Sequence, residues 1–248
     1  MFDPASPTLR RRLAKGDCIG AVWLSLGSVA LCELAALSRP DAIVIDMQHG
    51  LWDRLSLEAV IGVTPSSVPV LVRVGENTAA AIGQALDAGA EGVIVPLVES
   101  AEAARAAVAA ARYPPKGTRS GGGIRPLAHF PDYVAAAGAL VVAVMIETRQ
   151  GLRNARAIAA VPGVDMVFIG TGDLALSIGA FPADTARTEA ACAKILAACK
   201  VAGTLCGTFT TSLDAALAKR ASGYRLVVTA NDIGLATQGF AAAANHFS

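Results

Sequence analysis

The sequence predicts a (β/α)8 barrel, and three observations carry that prediction. Apolar strand-like runs alternate with alanine-rich helical stretches along the whole chain, giving eight strand–helix units in 248 residues. A barrel of that kind typically takes about 250 residues. The strands are short and apolar throughout rather than alternating, as expected for strands buried on both faces. No linker, low-complexity segment or composition break marks a second domain, so residues 1–248 read as one. A doubly wound open sheet is the competing architecture; it requires no particular strand count, whereas eight units favour closure.

In chain order the strands are expected at Ile19–Leu24, Ala42–Ile45, Val70–Val74, Gly92–Val95, Leu140–Ile146, Met166–Ile169, Leu205–Thr208 and Leu226–Val228. Each is a three- to seven-residue apolar run of the kind buried strands show. The helices between them are expected near Ala30–Leu37, Leu57–Val63, Ala79–Ala88, Ala101–Ala111, Leu152–Ala160, Thr188–Val201, Leu213–Lys219 and Asp232–Ala243, where alanine and leucine favour the helix. One region is irregular. Tyr113 to Pro131 holds four prolines and a run of three glycines, Gly121 to Gly123. Long loops are often functional, and this one is expected to return over the barrel mouth.

Composition narrows the function classes. The chain is 54% hydrophobic with a net charge of +1, so it has a large core and little that suits nucleic acid. Its only basic run, Arg10-Arg11-Arg12, reads as a solvated helix start or an interface contact. No apolar stretch reaches the ~18–20 residues of a membrane span, and residues 1–12 lack the apolar core of a signal peptide. The five cysteines form no CxxC pair and sit among apolar neighbours. Buried, reduced thiols in a cytoplasmic protein are the expected state.

Barrel sites form where strands end at their C-terminal face. The second strand ends in Asp46-Met47-Gln48-His49, the third in Arg73, the fifth in Glu147 and the sixth in Gly170-Thr171-Gly172-Asp173, while Trp23 lies near the end of the first. Singly, each has a plain alternative. Asp46 suits a turn, His49 a hydrogen-bonded structural histidine, and Asp173 the cap of a helix beginning at Leu174. Arg73 and Glu147 are harder to explain as structure, because a charge embedded in an apolar run needs a partner. Together they place a histidine, an arginine and three acids on one rim.

These residue types suit chemistry on a 2-oxo acid. Glu147 and Asp173 could hold a hard divalent cation, Mg²⁺, Mn²⁺ or Co²⁺, with positions left open for substrate. The backbone N–H groups at Gly170 and Gly172 could hold a substrate carboxylate at a helix start. Arg73 could stabilise an enolate oxygen, and Asp46 with His49 could move a proton. None of the five lysines ends a strand, so a Schiff-base mechanism has no candidate residue.

The motifs that carry these residues resemble the metal-dependent (class II) pyruvate aldolases, relatives of 4-hydroxy-2-oxoheptanedioate aldolase and 2-dehydro-3-deoxyglucarate aldolase. The resemblance runs from about Gly20 to about Gly223. It rests on Trp23-Leu24-Ser25-Leu26-Gly27-Ser28, Ile45-Asp46-Met47-Gln48-His49, Val72-Arg73-Val74, Val95-Pro96-Leu97-Val98, Arg112-Tyr113-Pro114-Pro115-Lys116-Gly117-Thr118-Arg119, Ile146-Glu147-Thr148 and Ile169-Gly170-Thr171-Gly172-Asp173-Leu174. It implies a barrel of the phosphoenolpyruvate/pyruvate type with its last helix exchanged between subunits, in a hexamer built as a trimer of dimers. It also implies Glu147 and Asp173 as metal ligands, Arg73 as enolate stabiliser, and His49, oriented by Asp46, as the acid–base residue. The reaction implied is reversible cleavage of a 4-hydroxy-2-oxo acid to pyruvate and an aldehyde, through an enolate on the metal.

Relatives often carry Glu where this chain has Gln48, Pro and Ser where it has Thr171 and Ala175, and Gln where it has Met145. Trp23, Gln48 and Arg119 are expected to complete the substrate pocket, with Arg119 and Arg125 as cations for an acidic aldehyde. Two other readings fit the same rim. One is a related carbon–carbon lyase, acting on an acyl-CoA or decarboxylating oxaloacetate. The other is a binding protein without catalysis.

Overall fold

Eight parallel strands close on themselves, each paired with the next in sequence and the last with the first. They are β1 (Ile19–Leu24), β2 (Ala42–Asp46), β3 (Val70–Arg73), β4 (Gly92–Val95), β5 (Val141–Ile146), β6 (Met166–Ile169), β7 (Leu205–Thr208) and β8 (Leu226–Asn231). The structure is a computed structural model that describes residues 8–244. The outermost residues of the expected 1–248 domain, His246 among them, lie outside the described residues.

Between the strands run α2 (Val29–Leu37), α3 (Arg54–Val63), α4 (Ala79–Asp87), α5 (Ala101–Ala111), α6 (Ile124–Ala128), α7 (Phe130–Ala136), α8 (Arg149–Arg153), α9 (Ala155–Ala159), α10 (Thr171–Ile178), α11 (Thr185–Ala202) and α12 (Leu213–Ser222). A short helix, α1 (Thr8–Ala14), precedes β1, and α13 (Asp232–Ala244) follows β8. Serine or threonine side chains accept from the backbone at the starts of α2, α4, α5 and α12, satisfying N–H groups that a helix start leaves free.

The strands look uniformly apolar because both of their faces are buried. Leu71, Ile94, Met145, Met166 and Phe168 fill the barrel interior. Their alternates, such as Val72, Val93, Val144, Val167 and Ile169, pack outward against the helices.

At the N-terminal end of the strands, α1 closes the barrel. Leu9 is fully buried and Leu13 nearly so, and the Leu9 N–H donates to Glu91 Oε2 at 2.9 Å. The basic run clamps this plug in place and is not simply solvated. Arg10 meets Asp165 at 2.6 Å and the Ala139 carbonyl at 2.7 Å. Arg12 meets Asp41 at 2.6 Å.

The stretch from Tyr113 to Pro131 does not return over the mouth. Each helix runs back along its strand, so the chain leaving α5 emerges at the end opposite the strand C-termini. There it builds α6 and leads into α7. Arg119 is accordingly a structural residue and not part of the substrate pocket. It is 3% exposed, donates to Asp87 Oδ1 at 2.6 Å and to Tyr133 Oη at 3.0 Å, and lies between the Tyr113 and Tyr133 rings. Arg125 likewise donates to the carbonyls of Ala88 and Glu58.

Two further expectations change. The helix expected over 152–160 breaks at Asn154 into α8 and α9, and the helix weighed as beginning at Leu174 begins at Thr171 as α10.

Candidate active site

The pairing of β2 with β3 sets Asp46 beside Arg73. The Arg73 Nε donates to Asp46 Oδ1 at 2.8 Å, and Nη2 donates to Oδ2. Four more donors converge on the same carboxylate: the Trp23 indole N–H, the Ser25 hydroxyl, and the backbone N–H groups of Gln48 and His49. Burial pushes the Asp46 carboxyl up, but hydrogen bonds and charge from Arg73, with the His49 and Trp23 N–H groups, outweigh it and hold the group below the usual range. The guanidinium, with its carbon 5.0 Å from the Trp23 ring centroid, is thus fixed in a two-point clamp.

This corrects the expected pairing of Asp46 with the His49 imidazole. Asp46 orients Arg73, and it reaches His49 only through the backbone N–H. The His49 side chain is exposed and lines the cavity at the mouth. Gln48 is not among the side chains lining that cavity; its Oε1 is buried without a hydrogen-bond partner.

Glu147 follows β5 and is 1% exposed. Its Oε1 accepts from the Leu97 N–H at 2.7 Å. Leu97 holds a left-handed backbone at φ 55°, a conformation that costs a side-chain-bearing residue energy and tends to cluster at functional sites. The other oxygen, Oε2, is buried with no partner. Burial, followed by repulsion from Asp173, overrides the Leu97 hydrogen bond and the Arg73 charge and raises the Glu147 pKa to about 7.

Asp173 lies in the first turn of α10. The helix begins at Thr171 with Gly170 at the cap position and no side-chain cap, so Asp173 is inside the helix and does not cap it. The uncapped start leaves backbone N–H groups of Thr171, Gly172 and Asp173 available at the cavity. Gly170 has no room for a side chain: a Cβ there would stand 2.6 Å from Glu147 Oε2 and 3.1 Å from Met145 Sδ.

These groups share a cavity of about 290 Å³. Trp23, stacked on Phe168 and edge-on to Phe209, forms part of its lining, with Met145, Leu176 and Phe181. The sequence reading did not single out the Leu97 amide, Leu176 or Phe181. A backbone N–H aimed by a left-handed leucine leaves no trace in sequence. Leu176 sits in α10, and Phe181 follows it; both look like ordinary apolar residues in sequence.

The donor set fits a hard divalent cation. A buried carboxylate oxygen without a partner, facing a second carboxylate, is stabilised by a positive ion. Among the described residues no cluster of three or more His, Cys, Asp or Glu side chains could hold a metal. The pair therefore matches ions that take one or two protein carboxylates and complete their shell with water and substrate, rather than a zinc site of the Cys/His type.

Comparison with known proteins matches residues 20–238 to the HpcH/HpaI aldolase/citrate lyase family, which extends the likeness beyond Gly223 into α13. The chain is 36% identical over 238 residues to a hydroxypyruvate/pyruvate aldolase of Paraburkholderia phytofirmans, covering 91% of each protein. It is 37% identical over 208 residues to a 4-hydroxy-2-oxovalerate aldolase of Novosphingobium aromaticivorans, covering 80% of this chain and 79% of the relative. Among solved structures, a family protein from Burkholderia cenocepacia superposes with a TM-score of 0.90 at 32% identity, over 97% of this chain and 99% of that one.

Proposed function

Because the chain belongs to the HpcH/HpaI aldolase/citrate lyase family, we propose that it reversibly cleaves a 4-hydroxy-2-oxo acid to pyruvate, or a close 2-oxo acid, and an aldehyde. The observation that carries this reading is the unpartnered Glu147 Oε2 beside Asp173, on the wall of a cavity that also holds Arg73, His49 and the start of α10. Glu147 and Asp173 would hold the divalent cation, Mg²⁺ or Mn²⁺. Once bound, that ion would polarise the 2-oxo group and offset negative charge developing on its oxygen.

The rest falls to the chain's own groups. The N–H groups from Thr171 to Asp173 receive the pyruvate carboxylate, aided by the positive end of the helix. Arg73, already immobilised by Asp46, presents its charge to the 2-oxo oxygen that becomes negative as the carbon–carbon bond breaks. It needs little reorganisation to do so. His49, free at the mouth, carries the proton to and from the aldehyde-derived oxygen. Trp23, Phe168 and Met145 keep the floor dry, which strengthens each of these interactions.

The enzyme is read as a cytoplasmic homo-oligomer, a hexamer built as a trimer of dimers. All five cysteines are unpaired, as suits a reducing compartment. No helix among the described residues is long and apolar enough to cross a membrane. Exchange of α13 between subunits is supported by its position: its main contacts are with β1 and β8, and Ile233, Leu235 and Phe240 are exposed along it.

Two measurements test the reading. Purified protein should release pyruvate from a 4-hydroxy-2-oxo acid with Mg²⁺ or Mn²⁺ and stop in excess EDTA. In D₂O it should exchange the pyruvate methyl protons without any aldehyde. Full activity in EDTA would sink the metal assignment, and absence of exchange would sink the aldolase reading.

A further inference from the structure

The outer part of the cavity has a character that the reaction itself does not require. Beyond the polar groups and the floor of Trp23, Met145 and Phe168, the lining is Leu176, Phe181 and Phe209. Leu176 and Phe181 are 58% and 62% exposed, so apolar surface stands uncovered beside Asp173 and the helix start. Such uncovered apolar surface next to a site marks a place where something apolar binds.

Charge points the same way. Among the described residues Arg73 is the one Lys or Arg lining the cavity, where the titratable His49 is kept for proton transfer, and two of the Arg73 nitrogens are committed to Asp46. The other charged lining groups, Glu147 and Asp173, are acids. Arg119 and Arg125 are bound at other places in the fold, to Asp87, Tyr133, Ala88 and Glu58. Arg149 is exposed and is not among the lining side chains.

Resting on the aldolase reading above, we propose that the aldehyde partner is uncharged with an apolar chain, and that Leu176, Phe181 and Phe209 select it. An acidic aldehyde would bring a second carboxylate into a wall with no free cation and two acids already present, which is unfavourable. An alkyl chain would cover the exposed faces of Leu176 and Phe181. The cavity, about 290 Å³, lies at the small end of ligand pockets (~300–1,000 Å³), so the chain is short.

The test measures kcat/KM for aldol addition with the native oligomer, pyruvate and Mg²⁺. The aldehydes are ethanal, propanal, butanal and pentanal, with succinic semialdehyde as an acidic counterpart of similar length to pentanal. The expected result is a rise of about fourfold per added methylene up to butanal. Succinic semialdehyde should lie at least about tenfold below pentanal. Leu176→Lys, at an exposed position and checked for fold by circular dichroism, should narrow that gap by about tenfold or reverse it.

A flat alkyl series, or succinic semialdehyde matching pentanal in the wild-type protein, would overturn the proposal. A cation or a covering segment supplied by a neighbouring subunit would show itself as one of those two results. Pyruvate methyl exchange in D₂O separates the failures: exchange with a flat series refutes only the aldehyde assignment, whereas no exchange refutes the aldolase reading and this proposal with it.

Discussion

Replacing Glu147 by glutamine isolates what one buried charge costs the fold. Glutamine keeps an oxygen to accept the Leu97 N–H and puts a neutral amide where the unpartnered Oε2 stands beside the acid of Asp173. The carboxyl's pKa rises from its ordinary 4.5 to about 7 in the folded chain. At 1.36 kcal/mol per unit, that makes about 3 kcal/mol. Below pH 4.5 the group is protonated in both folded and unfolded chains, and its burial costs little. Between 4.5 and about 7 the unfolded chain has released its proton while the native state still holds one, so native stability falls. Above 7 the loss is complete.

In EDTA, therefore, Glu147→Gln should match the wild type near pH 4 and exceed it by about 3 kcal/mol at pH 8, as read by urea denaturation at each pH. Adding Mg²⁺ at about a thousandfold excess over Kd should reverse the order. A site that binds only the native state then contributes about 4.1 kcal/mol, and the variant has lost one of its two carboxylates. The reasoning fails if the variant is no more stable than the wild type at pH 8 in EDTA, or if the gap between them does not change with pH.

Three other outcomes are expected. Arg73→Met should destabilise the protein by about 3–5 kcal/mol, because it leaves the buried Asp46 carboxylate unpaired; a loss under about 1 kcal/mol in denaturant titration would mean the clamp is not holding the fold. His49→Gln, at an exposed position, should leave stability within about 0.5 kcal/mol while lowering kcat for aldol cleavage by about 10²–10⁴, and near-normal kcat would remove His49 from the mechanism. Gly170→Ala should weaken the Mg²⁺-dependent rise in Tm, since the new Cβ would stand 2.6 Å from Glu147 Oε2; an unchanged rise would show that the carboxylate has room to move.

The parts of the fold that follow from burial were legible in the sequence. Strands buried on both faces read as plain apolar runs, and the polar residues that end them, Asp46, Arg73, Glu147 and Asp173, stood out against that background. The errors arose where proximity in space departs from proximity along the chain. Asp46 and His49 are three residues apart, which suggested a pair, but the lateral register of β2 on β3 gives the Asp46 oxygens to Arg73. The glycines and arginines between Tyr113 and Pro131 looked like a mouth loop because their composition suits one. Counting the direction of α5 would have put them at the other end. The Leu97 amide lay beyond sequence reading altogether, because nothing in Val95-Pro96-Leu97-Val98 marks a left-handed residue.

Trp23 touches nearly every part of the site. Its indole N–H is on Asp46, Arg73 lies over its ring, and Phe168 and Phe209 pack on it. The chain has only one other tryptophan, Trp52, buried with its N–H on the Leu24 carbonyl. The protein therefore carries an intrinsic fluorophore at the cavity wall and a second, shielded one as an internal reference. Cation or 2-oxo acid arriving near Arg73 changes the electric field across the Trp23 ring, so site occupancy can be followed by emission without a label. Trp23→Phe, which leaves only the reference signal, assigns the response to its source.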